Sequence, residues 1–153
     1  MQKIKYGKDI WIGRSFRLLN PKRLILGERC ALGDNITISN HTSIEIGDDF
    51  LGASGLCLDS GTHDPETLIP ETIPIEIGHR VWTGINVTIL AGVKVGDDVV
   101  IGAGSLVNKN IPSNSIAVGV PAKVIAPLIR DPNINPWSWI SKRNKGKKKT
   151  PNP

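Results

Sequence analysis

The chain has 153 residues, 39% of them hydrophobic, and a formal net charge of +5; that is enough length for one domain with a continuous core and too little for two. No apolar run reaches the roughly 18 to 20 residues that span a bilayer, and the opening MQKIKYGKDI holds no stretch of signal-peptide length, so the expectation is one soluble cytoplasmic unit. Six of the ten residues in SKRNKGKKKT (141–150) are Lys or Arg; removing them takes the charge from +5 to −1, which leaves a near-neutral body and argues against a nucleic-acid partner.

Cys30 and Cys57 are the only cysteines and form no C-x-x-C pair. They are expected to be free thiols, with neither a disulfide framework nor a zinc cluster.

In chain order, branched residues followed by glycine come first: Ile12-Gly13, Leu26-Gly27, Leu32-Gly33 and Ile46-Gly47, with two-residue slips near 20 and 40 where a corner bulges. The metre then breaks at residues 64–74, DPETLIPETIP, between a coil ending near Leu58 and one restarting at Ile75. Such a break reads as a loop extruded from one edge of a regular scaffold, a place where chemistry tends to sit. His63 stands at its root.

Downstream the text falls into sixes. Ile77, Thr83, Ile89, Val95, Ile101 and Val107 lead them, and Val81, Val87, Val93, Val99, Ser105 and Ile111 follow four positions later. Neither period 3.6 nor unbroken period 2 fits, whereas short strands do, because residues two apart, such as Val81 and Thr83, share a face. Gly78, Gly84, Gly96, Gly102 and Asn108 follow the leading residues, with Leu90 the one departure. These types accept positive φ most cheaply, so left-handed corners are expected there. Strand and corner every six residues close a three-sided coil in about eighteen, a hexapeptide-repeat parallel β-helix. A sandwich would need longer strands and irregular spacing.

These repeats, followed by IPSNSIAVGVPAKVI, resemble the left-handed parallel β-helix acyltransferases of the hexapeptide-repeat superfamily, in particular the sugar O-acetyltransferase branch with maltose and galactoside acetyltransferases and polysaccharide-modifying relatives. The resemblance covers about residues 10 to 126, and residues 1–126 are expected to form the acyltransferase domain. It implies the left-handed winding, a homotrimer with active sites in the clefts between prisms, acetyl-CoA as co-substrate and no metal. It also implies direct attack of a sugar hydroxyl on the thioester in a ternary complex. The histidine at the base of the loop, His63 here, serves as general base, a task suited to imidazole near neutral pH. Asp64, Glu66 and Glu71 are candidates to orient its ring.

Carried over position by position, the coenzyme-side residues are Trp82, Gly84, Ile85, Ala103, Asn108, Lys109 and Lys123. The Ile85 amide would hold the thioester oxygen. Relatives often have a small hydroxyl residue at Ile85, threonine at Asn108 and arginine at Lys123, so side-chain assistance at Ile85 is in doubt. Asn35, Asn40 and His41 are the acceptor-side candidates, each with a solvated corner as the alternative. His79 reads as an ordinary surface corner.

After Ala126 the composition changes, and 127–153 is expected to form a C-terminal extension. Trp137 and Trp139 followed by six basic residues suit peripheral contact with an anionic membrane; the simpler reading packs them on the last coil with a solvated tail. Two other functions compete. A γ-class carbonic anhydrase needs three histidines converging on a metal, and His41, His63 and His79 contain no H-x4-H pair. A non-catalytic structural β-helix subunit predicts no coenzyme binding. The acceptor stays open among a free sugar, a nucleotide sugar, a lipid-linked glycan and an antibiotic.

Overall fold

The computed structural model describes residues 4–131 and 133. Alternation over two or three residues, then a corner, gives nineteen short strands, and all but four of them, β10 (Gly61–His63), β11 (Pro70–Thr72), β18 (Ser115–Gly119) and β19 (Ala122–Pro127), are the sides of five stacked three-sided coils. The first face stacks β1 (Lys5–Tyr6), β4 (Leu24–Leu26), β7 (Ile44–Ile46), β12 (Ile75–Ile77) and β15 (Lys94–Val95). The second stacks β2 (Trp11–Ile12), β5 (Ala31–Leu32), β8 (Leu51–Gly52), β13 (Trp82–Thr83) and β16 (Val99–Ile101), and the third β3 (Arg17–Leu18), β6 (Thr37–Ser39), β9 (Cys57–Asp59), β14 (Thr88–Ile89) and β17 (Leu106–Val107). A sixth, partial coil adds a bridge at Ile111 above Val95 and β18 (Ser115–Gly119) above β16. The antiparallel strand β19 (Ala122–Pro127) then closes the second face.

Inward residues make one continuous core. Leu24, Leu32, Ile38, Ile44, Phe50, Leu58, Ile75, Ile89 and Ile101 are all at most 1% exposed, each worth about 1.5–3 kcal/mol relative to exposure. Thr83 is the polar intruder: its buried Oγ1 finds no hydrogen-bond partner.

The register locates the irregularity. Ile25 stands over Lys5 and Glu45 over Ile25, 20 residues per coil, whereas Lys94 stands over Glu76 after only 18. The first two legs of a coil take six residues, as from Leu26 to Leu32 to Ile38. The surplus always falls on the third leg, from Leu18 to Leu26 and from Ile38 to Ile46, and the interruption between Leu58 and Ile77 opens from that same corner. We call it the third corner; the first joins faces one and two, and the second joins faces two and three.

The glycines that mark the sixes differ from expectation. Positive φ lies two residues after them, at Arg29, Asn35, Asp49, Arg80, Asn86, Asp98 and Gly104, and not at Gly27, Gly33, Gly47, Gly78, Gly84, Gly96 or Gly102. Those glycines are required by stacking. A Cβ on Gly47 would fall 2.7 Å from the Gly78 carbonyl oxygen, and one on Gly84 would fall 2.6 Å from the Ala103 nitrogen. Coils about 4.8 Å apart leave no room for a side chain pointing along the axis.

Candidate active site

The stretch expected as an open loop is an antiparallel hairpin, β10 (Gly61–His63) against β11 (Pro70–Thr72). His63 is therefore not at the root but at the outer end of β10, opposite Pro70. Asp64 closes the tip, its Oδ1 accepting from the Glu66 and Thr67 N–H groups at 3.0 and 2.7 Å and from Thr67 Oγ1 at 2.8 Å. These bonds, Thr67 foremost, hold its carboxyl below the usual range. Asp64 thus serves the turn, and among the described residues no side chain hydrogen-bonds the His63 ring. At the other end Ile73 anchors the hairpin, its carbonyl accepting from Gly92 N–H at 3.3 Å.

Below the hairpin lies His41. A Cβ on Gly61 would come within 2.6 Å of His41 Cδ2, so with glycine at 61 β10 leaves the corner directly over that ring without displacing it. His41 Nε2 is 4.0 Å from Asp59 Oδ1, and Asp59 Oδ1 also accepts from Gly61 N–H at 2.9 Å. The corner is held from inside by Asn40, whose Oδ1 accepts from Asn20 N–H at 2.8 Å and whose Nδ2 donates to Asn20 O at 2.6 Å. Asn40 is wholly buried. Its expected role against an acceptor is thereby corrected: the amide fills the bulged corner and presents nothing to solvent. Asn35 keeps an exposed side chain, but it is a left-handed residue of the second corner and stands on a different edge from His41 and His63.

A hydrogen-bond ladder climbs the first corner. From the second coil upward each residue after the glycine position there donates its N–H to the side chain one coil above: Glu28 to Asp48 at 2.8 Å, Asp48 to His79 Nδ1 at 2.9 Å, His79 to Asp97 at 2.7 Å and Asp97 to Ser113 at 2.9 Å. His79 is an exposed corner residue as expected, and it is also a rung. The second corner begins the same ladder, Arg14 to Asp34 at 2.7 Å and Asp34 to Ser54 at 3.2 Å. It then stops, because the next rungs are Ile85 and Ala103, whose side chains accept nothing. Among the described residues the Ile85 N–H is left without a partner. Sequence reading nominated that amide by resemblance and missed the reason; the switch from Asp and Ser to Ile and Ala after Gly33, Ala53, Gly84 and Gly102 was the legible signal.

Around this amide, Trp82 and Ile85 are 45% and 55% exposed, unusual for large apolar groups. Ala103 and Lys123 are exposed nearby, Lys123 on β19 opposite Val118. Gly84 is buried, its N–H bound to Ile101 O at 2.8 Å. The remaining coenzyme-side candidates, Asn108 and Lys109, are exposed on the third corner, two coils above Asp59. The structure thus brings Trp82, Gly84, Ile85, Ala103 and Lys123 together at one edge, and His41, His63, Asn108 and Lys109 at another. The third face lies between, about 15 Å of strand.

Among the described residues no three His, Cys, Asp or Glu side chains gather to hold a metal, and His79 is on a different edge from the other two histidines. Cys30 and Cys57 are free; burial raises both thiols, Cys30 to about 11. No described helix is long and apolar enough to cross a membrane. Trp137, Trp139 and the basic run lie outside the described residues.

Stacked parallel coils of six-residue legs with a hairpin thrown out of one corner define a hexapeptide-repeat β-helix, and comparison with known proteins agrees. The family described as bacterial transferase hexapeptide (six repeats) matches residues 74–109. Galactoside O-acetyltransferase of Escherichia coli K12 is 38% identical over 125 residues, covering 78% of this chain and 55% of its own length. An E. coli K12 protein named as a lipopolysaccharide biosynthesis O-acetyl transferase, WbbJ, is 33% identical over 138 residues, covering 80% of this chain and 70% of its own. A galactoside acetyltransferase structure in complex with coenzyme A superposes with a TM-score of 0.79 at 33% identity, covering 82% of this chain and 65% of that one. The chain belongs to the hexapeptide-repeat acyltransferase family, and its prism is the left-handed parallel β-helix of that family. It spans little more than half the length of the galactoside O-acetyltransferase it matches.

Proposed function

We propose that the protein transfers an acetyl group from acetyl-CoA to a hydroxyl of a sugar or glycan precursor, at sites shared between copies of the chain in a homotrimer. The observation that carries this reading is the unpartnered Ile85 amide on one edge and the unheld His63 ring on another. No single prism joins them. A contact between the third corner of one copy and the second corner of the next does, and such a head-to-tail contact closes a ring of three when it repeats about a three-fold axis.

In that cleft His63 takes the proton of the acceptor hydroxyl as its oxygen attacks the thioester carbonyl carbon. The Ile85 N–H faces the carbonyl oxygen as negative charge develops there. The carbon–sulfur bond breaks, and the imidazolium returns its proton to the departing thiolate. Trp82 offers an apolar wall to the pantetheine arm, and Lys109 and Lys123 are cations for the nucleotide phosphates. The known partners of relatives support the donor: the galactoside acetyltransferase structure holds coenzyme A.

His63→Ala tests the assignment. It should cut acetyl transfer by about 10²- to 10⁴-fold while acetyl-CoA still binds by calorimetry. Near-normal transfer by a folded His63→Ala protein contradicts it.

A further inference from the structure

Of the six arginines among the described residues, four are ion-paired to aspartates: Arg14 to Asp34, Arg29 to Asp49, and Arg80 and Arg130 to Asp98. Arg17 and Arg23 have no carboxylate within ion-pair distance. Both flank the third corner of the first coil. Arg23 and Lys22 belong to a 3₁₀ turn, Pro21–Arg23, fixed by Asn20, whose side chain accepts from Lys22 N–H at 3.1 Å. Arg23 donates to the His41 carbonyl, and Lys22 and Arg23 are both exposed. Going down the corner from His63, one meets His41 and then Lys22 and Arg23, with coils about 4.8 Å apart. Of the carboxylates on this edge, Asp59 is shared with Gly61 N–H and Asp64 is consumed by the hairpin tip, whereas Glu66 and Glu71 stand exposed on the hairpin, on the other side of His63 from Lys22 and Arg23.

Direction matters here. The coenzyme-side residues Trp82, Ile85, Ala103, Asn108 and Lys109 lie in the fourth and fifth coils, above the hairpin. An acceptor that reaches His63 must then lie below it, toward the first coil. A guanidinium and an ammonium group with no carboxylate partner, held on a fixed turn, favour an anion, through charge-assisted hydrogen bonds that a neutral sugar cannot make.

We infer that the acceptor is an anionic sugar or glycan, whose carboxylate or phosphate is held by Arg23 and Lys22 while His63 acts on a hydroxyl toward the hairpin. This rests on the acetyltransferase reading above. It is tested with matched acceptors: digalacturonate against galactobiose, and galactose 1-phosphate against galactose, in rate assays with acetyl-CoA and in calorimetry with the protein loaded with CoA. At low salt the acidic member of at least one pair should have a kcat/KM roughly tenfold or more above its neutral counterpart. The preference should shrink as ionic strength rises.

Arg23→Gln and Lys22→Gln should each lower the acid-to-neutral ratio, mainly through KM, and Arg23→Lys should restore part of it. Lys22, whose side chain holds nothing in the fold, keeps the test open should Arg23→Gln disturb the corner. Which pair responds tells a carboxylate from a phosphate. Equal kcat/KM on acidic and neutral members, with transfer intact, overturns the inference alone. Tighter binding of an acidic member than of its neutral partner, without any acetyl transfer, sustains the anion site at Arg23 and Lys22 and sinks the transferase reading. Neither binding nor transfer with any acceptor overturns both.

Discussion

Arg80 and Asp98, one coil apart on the first corner, meet in a two-pronged contact: Nε to Oδ1 at 2.8 Å and an NH2 to Oδ2 at 2.6 Å, with both residues in the left-handed region. Arg29 and Asp49 repeat it two coils below, at 2.5 and 2.9 Å. Arg130 adds a third donor to Asp98 at 3.0 Å and also reaches the Arg80 carbonyl at 2.9 Å, so the chain beyond β19 is tied back down the same corner.

Asp98 should consequently be a principal source of acid sensitivity. The Arg80 guanidinium, then Arg130, holds its carboxyl below the usual range. A depressed carboxyl contributes stability that is complete above the unfolded value, near 3.8, and is lost as pH falls through the folded one. Asp98→Ala should cost about 1–3 kcal/mol at pH 7. The difference from the parent, measured by urea unfolding, should shrink below pH 4; a constant difference down to pH 2 would contradict the assignment.

Two glycines of the metre should behave differently on substitution. Gly47→Ala drives a methyl into the Gly78 backbone at 2.7 Å, where nothing flexible can yield, and should cost at least about 1–3 kcal/mol. Gly104 has φ +69 and open space around it, so Gly104→Ala pays only the left-handed conformation, about 1 kcal/mol. Thermal unfolding of the pair should rank Gly47→Ala the less stable. The opposite order would mean that corner conformation, and not coil stacking, selects glycine after each leading residue.

The broken ladder gives a test of the Ile85 amide. At the equivalent first-corner position Ser113 accepts the N–H of the coil below at 2.9 Å. Ala103→Ser offers the same acceptor to Ile85. The variant should be as stable as the parent or more so, yet its kcat should fall by roughly tenfold or more, toward the 10²- to 10³-fold loss typical of a missing oxyanion donor. An unchanged kcat would remove the Ile85 amide from the chemistry.

Much of this was legible in the sequence. The six-residue legs, the bulges near 20 and 40 and the break after Leu58 all stand where the spacing puts them, because an apolar interior about one side chain deep tolerates no slip in which residue points inward. The hairpin did not announce itself, since Pro70 and Pro74 mask the pairing of Gly61–His63 with Pro70–Thr72. The fate of Asn40 was hidden for a different reason. A buried amide that satisfies a corner and an exposed one that meets a ligand have the same letter, and only the stacking of Asn20 beneath it tells them apart. Likewise the glycine pattern is plain in the sequence but its cause is not, because the stacking contacts, as from Gly47 to Gly78 and from Gly84 to Ala103, lie a whole coil away in the chain.

The claim that everything else depends on is that His63 of one copy serves a thioester held at the Ile85 edge of another. It is tested by complementation: His63→Ala and Ala103→Ser chains, each impaired as a pure protein, are unfolded together, refolded as a mixture and assayed for acetyl transfer. Mixed assemblies bring an intact His63 edge against an intact Ile85 edge, so activity should rise well above the average of the two separate proteins. A mixture no more active than that average would contradict a shared site and place the whole reaction, if it occurs, within one chain.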